Sequence, residues 1–172
     1  MDGIAQNWQG APLVHAWAYR DSHGEALGHV ARYGANGHKA VVPFFARNGK
    51  GWKAGAAEEP RPLYGLDMLA QNPEAGAVCI VEGERCAAAL QSLGIVALTS
   101  LGGSKAAAKT DWTPLSGVRK AYVLPDNDEP GQAYADDVCE ALRALEKPPE
   151  LFLVRLPGLP EAGDVVDWLQ AR

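Results

Sequence analysis

Three short acidic clusters stand out because each follows an apolar run. Val78 to Val81 leads directly into Glu82-Gly83-Glu84. Ala121 to Leu124 leads into Pro125-Asp126-Asn127-Asp128-Glu129. Leu151 to Leu156 is followed by Pro157-Gly158-Leu159-Pro160 and then Gly163-Asp164-Val165-Val166-Asp167. In extended backbone, residues i and i+2 point the same way, so Asp126 and Asp128 can converge on one hard cation. Oxygen ligands that leave positions open for water or phosphate suit Mg²⁺. Gly83 fits a place where the backbone turns sharply or lets a phosphate approach. Plainer roles compete at each site. Asp128 or Glu129 can cap a helix beginning near Pro130, Asp164 can cap a last helix, and Glu82-Gly83-Glu84 can be solvated loop. All three together would repel one another, and a bound cation would offset that cost.

The elements that position these acids follow from the hydrophobic pattern. Ala77-Val78-Cys79-Ile80-Val81, Ile95 to Thr99, Ala121 to Leu124 and Leu151 to Leu156 read as buried strands. Between them, Leu63 to Gln71, Cys86 to Leu93, Gly131 to Leu145 and Val165 to Gln170 read as helices, and 104 to 109 as Ala-rich helical turns. Strands alternating with helices predict an α/β fold, a parallel sheet with helices on both faces. Ligands of such sheets bind beyond the carboxyl ends of the strands, where the acids fall.

Residues 1–62 have a different character. His15 to Arg20, Gly28 to Tyr33 and Lys39 to Phe45 read as three strands of a small N-terminal β-meander, with turns at Asp21-Ser22-His23-Gly24 and Gly34-Ala35-Asn36-Gly37. Pro43 places the third strand at an edge or ends it. Residues 46–62, with three glycines and two prolines, read as linker. The expected division is 1–62 for a basic β-rich subdomain with its linker and 63–172 for the α/β domain.

Charge follows the same division. The 172 residues carry a net charge of −5, which alone disfavours nucleic acid. Residues 1–62 hold seven Lys/Arg against five Asp/Glu, or +2; residues 63–172 hold nine against sixteen, or −7. Arg20, Arg32, Lys39, Lys50 and Lys53 are interleaved with Trp17, Tyr19, Tyr33, Phe44 and Trp52. That pattern suits a cationic groove with stacking platforms for a single strand, or else a meander whose aromatics form its own core. Gly102-Gly103-Ser104-Lys105 is not a nucleotide-binding P-loop, yet its glycines can admit a phosphate, which makes Lys105 a candidate contact.

Three cysteines (Cys79, Cys86, Cys139) are odd in number and poorly spaced for zinc, and the histidines at 15, 23, 29 and 38 fit no zinc pattern. With no apolar run of about 18 residues and no secretory signal, a cytoplasmic protein without membrane contact is expected.

Val81-Glu82-Gly83-Glu84 after one apolar strand and Leu124-Pro125-Asp126-Asn127-Asp128 after another resemble the Toprim domain. That domain occurs in DnaG-type primases, topoisomerases, OLD-family nucleases and recombination-repair proteins. The resemblance covers about residues 76 to 170. Trp17-Ala18-Tyr19-Arg20-Asp21, Pro62-Leu63-Tyr64-Gly65-Leu66, Glu129-Pro130-Gly131 and Asp164-Val165-Val166-Asp167-Trp168-Leu169 are similar to the primase branch, including phage and mobile-element primases. The resemblance implies a Toprim-like fold and a metal-dependent primase core acting on single-stranded DNA with nucleoside triphosphates. It implies Mg²⁺ or Mn²⁺ as cofactor, Glu82 as general acid/base, Asp126 and Asp128 as metal ligands with Asp164 beside them, and Gly83 close to nucleotide. Cys86 stands where many bacterial primases carry an Asp, so that ligand is missing or supplied by Glu84 or Asp164. A zinc-binding module and a helicase, absent from this sequence, would be supplied in a longer chain or in trans. The alternatives are a Toprim nuclease and a non-catalytic binding module of replication or repair.

Overall fold

The structure, a computed structural model, describes residues 4–35, 38–46 and 51–172. Two five-stranded sheets account for its strands. The first is an antiparallel meander of β1 (Asn7–Trp8), β2 (Ala11–Arg20), β3 (Ala26–Ala35), β4 (His38–Ala46) and β5 (Trp52–Ala54), in that spatial order. The β2–β3 turn forms as its sequence dictates. Asp21 Oδ1 accepts from the backbone N–H groups of His23 and Glu25, both at 2.9 Å, and Gly24 takes φ 86°.

Two short strands extend the expected three. β5 lies in the glycine-rich stretch expected to be linker, where Trp52 and Lys53 pair with Ala46 and Phe45. Pro43 does not end β4, and it sits where the outer side of β4 runs past β5 and is an edge. Its carbonyl accepts from Gly55 N–H at 2.8 Å, so its own nitrogen faces that side, beyond the Phe45–Lys53 and Ala46–Trp52 pairs. The missing N–H therefore breaks no ladder bond. Asn36 and Gly37 of the second expected turn, and Lys50, lie outside the described residues.

The second sheet holds β6 (Leu63–Tyr64), β7 (Ala77–Val81), β8 (Ala97–Ser100), β9 (Lys120–Leu124) and β10 (Glu150–Leu153), in the order β10-β9-β7-β8-β6. β10, β9, β7 and β8 are parallel, whereas β6 pairs antiparallel with β8 at the edge, so the sheet is mixed rather than wholly parallel. The segment expected to be one helix over Leu63–Gln71 is strand β6, Gly65 at φ 90°, and then α1 (Leu66–Gln71). A left-handed residue cannot continue a helix backward, and glycine adopts it without strain.

Helices cover both faces of this sheet. Val78, Ile80 and Val123 pack on one side with Tyr134, Val138 and Leu142 of α3 (Glu129–Arg143) and with Trp112 and Leu115 from the connection of short 3-10 turns. Val81 and Leu124 pack on the other with Cys86, Ala87 and Leu90 of α2 (Glu84–Gln91) and Val165 and Val166 of α4 (Val165–Gln170). Burial on both sides is why β7 and β9 are continuous apolar runs. No described helix is long and apolar enough to cross a membrane.

The two sheets meet across a third apolar cluster. Trp17, Tyr19, Val30 and Phe45 of the meander pack against Leu101, Tyr64 and Ala88. The aromatics expected as stacking platforms are consumed here or on the opposite face. Trp17 is 8% exposed, Tyr19 and Tyr33 0%, and Phe44 4%. Apolar ring area gains more from core burial than from water.

Candidate acidic active site

β7 lies between β8 and β9, and the chain passes from β8 across to β9 on the other side of β7. This is a topological switch point, where open α/β sheets place ligands. Val81 pairs with Leu124 at the ends of β7 and β9, so Glu82 and Asp126 emerge beyond the same sheet edge. Glu82 is followed by Gly83 at φ 80°, and its N–H donates to Thr99 Oγ1 at 3.0 Å. A Cβ added at Gly83 meets nothing within 4 Å, so the glycine is required by its backbone angle, not by a neighbour. At Asp126 the constraint comes from below. A Cβ on Gly131 would sit 2.6 Å from the Asp126 carbonyl oxygen and 2.9 Å from its nitrogen. Gly131 thus lets the first turn of α3 press against the loop that carries Asp126.

Glu82 and Asp126 line a cleft of about 420 Å³ whose opposite wall is strand β4, through Lys39, Val41 and Pro43. The register of the meander explains that wall. Gly34 pairs with Lys39, Arg32 with Val41 and Val30 with Pro43, so Arg32 and Lys39 share a face with Val30, which packs toward the second sheet. Lys39 also lines a second cleft of about 670 Å³ with His15, Arg32 and Arg85. It stands where the cationic cleft joins the acidic one. Among the described residues neither Arg32 nor Lys39 has a carboxylate within ion-pair distance.

The remaining expected residues fall into distinct situations. Asp128 caps α3, its Oδ1 accepting from Gly131 N–H at 2.7 Å. Asp164 caps α4 through Oδ1, which accepts from Val166 and Asp167 N–H at 2.7 and 3.0 Å, while Oδ2 lies 3.6 Å from Arg85. Both helix-capping readings therefore hold, and both oxygens of Asp164 have partners. Glu84 is buried, and its Oε1 accepts from Tyr19 O–H at 2.6 Å. Arg20 donates to Gly24 carbonyl and lies 4.0 Å from Asp67. Lys53 is exposed on β5, and Lys105 ends the first 3-10 turn. Neither is among the residues lining the two clefts.

The electrostatics are those of crowded acids. Burial, then Glu82, Asp164, Asp128 and Asp167, push the Asp126 carboxyl up to about 7. Burial and Asp128 raise Glu82, opposed by a hydrogen bond from the Ser104 backbone. The Cys86 thiol is pushed up by burial and then by Asp164 and Asp126, so it behaves as a packed neutral group. Among the described residues no three His, Cys, Asp or Glu side chains form a ready-made metal cage. Mg²⁺ does not require one, since it binds through one or two carboxylates plus waters and substrate phosphates. One or two carboxylates of this edge, Asp126 and Asp128, suit such an ion, and burial together with the neighbouring acids raises Asp126, where a positive charge would be favourable.

Sequence reasoning missed Arg85, Arg155, the packing role of Gly131 and the Tyr19 partner of Glu84. Only Gly131, inside Glu129-Pro130-Gly131, carried a visible signal.

No family model matches the chain, and no curated protein does. Solved structures do. A DNA primase domain from Pseudomonas aeruginosa aligns with TM-score 0.63 and 19% identity, over 91% of this chain and 46% of that one. A DnaG primase catalytic domain bound to ssDNA aligns with TM-score 0.62 and 24% identity, over 91% and 47%. This chain has a DnaG-primase-like fold. The Aquifex aeolicus primase, comprising zinc-binding and RNA polymerase domains, aligns with TM-score 0.60 and 18% identity, over 94% of this chain and 37% of that one. The present chain thus spans less than half the length of each of these three DnaG-like neighbours.

Proposed function

We propose that the chain is a Toprim-type primase core, a metal-dependent nucleotidyl transferase that builds primers on single-stranded DNA. The observation that carries this reading is the shared cleft in which Lys39 of the basic sheet faces Glu82 and Asp126 of the acidic edge. Likeness of fold to DnaG primase domains supports it. The cleft that continues past Lys39 to Arg32 and Arg85 suits a strand's phosphates. Backbone contacts of that kind position a template without reading its sequence.

Asp126 and Asp128 would hold Mg²⁺ or Mn²⁺. When bound, such an ion would supply charge neutralisation on the transferring phosphoryl group. Glu82, whose carboxyl is raised by burial and by Asp128, takes the proton of the attacking primer hydroxyl. The new phosphodiester bond forms as pyrophosphate leaves. Gly83 keeps Glu82 on its turn, and Gly131 keeps Asp126 at the edge.

The test is incubation with single-stranded DNA, ribo- or deoxyribonucleoside triphosphates and Mn²⁺, followed by product sizing. Primers that appear only with nucleotides support the proposal; plasmid nicking without nucleotides points to a nuclease. One observation favours the binding-module reading instead. Cys86 is buried and adds no charged ligand, and Asp164 is already engaged. Absence of both synthesis and nicking would select that reading.

A further inference from the structure

A third cavity also has Asp126 in its wall. It measures about 260 Å³ and is lined by Asp126, Asn127, Asp128, Gln132 and Arg155, with apolar residues completing its wall. Arg155 follows β10 by two residues, at the same carboxyl edge as the acids. The two arginines of this edge differ. Arg85 lies 3.6 Å from Asp164 and 3.9 Å from Asp167, whereas Arg155 has no ion-pair partner among the described residues.

The cavity has built walls. Asn127 ties its two rims together. Its side-chain amide donates to the carbonyls of Leu159 and Pro160 at 3.1 and 2.8 Å, its N–H donates to Gly163 carbonyl at 2.9 Å, and its own carbonyl accepts from Ala162 N–H at 3.0 Å. Arg155 is oriented by a relay. Its Nη2 donates to Gln132 Oε1 at 3.2 Å, and Gln132 Nε2 donates to Asp136 Oδ1 at 3.1 Å. One guanidinium edge is used in holding position and the rest of the fork is available.

We propose that this cavity is a polyphosphate subsite, in which Arg155 binds the phosphate tail of the incoming nucleoside triphosphate. The inference rests on the primase-type reading of the Glu82–Asp126 edge. A planar guanidinium matches phosphate oxygens bidentately. A cation at Asp126 and Asp128 and the free Arg155 fork would grip one anion from two sides, as phosphoryl-transfer sites require. The volume points to a tail rather than a whole nucleotide, being below the roughly 300–1,000 Å³ of pockets that engulf drug-sized ligands. Asp126 lines both this cavity and the Lys39 cleft, so one carboxylate would border both a template strand and a nucleotide tail.

The experiment is calorimetric titration of the chain with inorganic tripolyphosphate in Mg²⁺, comparing wild type, Arg155→Ala and Arg155→Lys. Arg155 is exposed, so the variants keep the fold, which circular dichroism verifies. Loss of about tenfold in affinity for Arg155→Ala, partial retention in Arg155→Lys and unchanged single-stranded DNA affinity are expected. Equal tripolyphosphate affinity in all three proteins, no binding by wild type, or an Arg155→Ala defect confined to single-stranded DNA would overturn the subsite. Arg155-dependent tripolyphosphate binding in a chain that makes no primers would uphold the subsite while the primase reading fails. Primer synthesis with an unchanged nucleotide KM in Arg155→Ala would overturn the subsite alone.

Discussion

The Tyr19 hydroxyl donates to Glu84 Oε1 at 2.6 Å across a separation of 65 residues, joining strand β2 of the basic sheet to the first turn of α2. Both residues are buried, Tyr19 completely and Glu84 at 8% exposure. Glu84 follows Glu82 and Gly83, so the bond ties the candidate catalytic turn to the sheet that carries Arg32 and Lys39. An acid at the start of a helix also benefits from the backbone dipole there.

Tyr19→Phe removes the donor and leaves a buried carboxyl short of a partner. A loss of about 1–3 kcal/mol in unfolding free energy is expected. Glu84→Gln keeps an acceptor for Tyr19 and should cost less. Urea midpoints at constant m-value decide the order.

Asp126 sets a pH dependence of opposite sign to that of an ion-paired acid. Its folded value of about 7 lies above the ordinary carboxyl value, so the folded protein binds the extra proton. Its stability contribution is therefore complete below about pH 4 and lost as pH rises through 7. Asp126→Asn should equal wild type near pH 4 and exceed it by about 1–2 kcal/mol at pH 8, a figure reduced for solvent screening of a partly exposed group. Thermal unfolding across that pH range is the measurement.

Gly131→Ala opposes helix propensity to packing. Alanine gains about 1 kcal/mol over glycine inside a helix. Its Cβ, however, would lie 2.6 Å from the Asp126 carbonyl oxygen. Packing should win, with lower stability and weaker Mn²⁺ binding by calorimetry. A gain in stability with unchanged Mn²⁺ affinity would refute the close contact.

Lys39→Ala should weaken single-stranded DNA binding and flatten its salt dependence, by about 0.7 in the slope of log K against log salt for one lost phosphate contact. Fluorescence anisotropy at several salt concentrations measures both. Lys53→Ala, outside the lining of both clefts, should change neither as much.

Legibility in the sequence tracked the locality of the cause. β7 occupies Ala77–Val81 as expected, because a strand covered on both faces must be apolar throughout. β6 and β5 escaped notice because two and three residues give no periodicity, and pairing with β8 and β4 alone holds them. The two caps at Asp128 and Asp164 were readable because a cap is local. Glu84 was not. It looked like solvated loop, and only the arrival of Tyr19 from the other sheet gives it a buried partner. The aromatics show the same limit, since Trp17 and Tyr33 alternate with cations whether they face a strand of DNA or a core. Arg155 carried no motif, and its place beside Asp126 depends on β10 lying next to β9.

The most direct test of a metal-dependent nucleotidyl transfer site at Asp126 is primer synthesis on single-stranded DNA by wild type and Asp126→Ala in Mn²⁺. Wild type should make primers, and Asp126→Ala, with its circular dichroism spectrum unchanged, should make none. Undiminished synthesis by the folded variant would contradict the assignment.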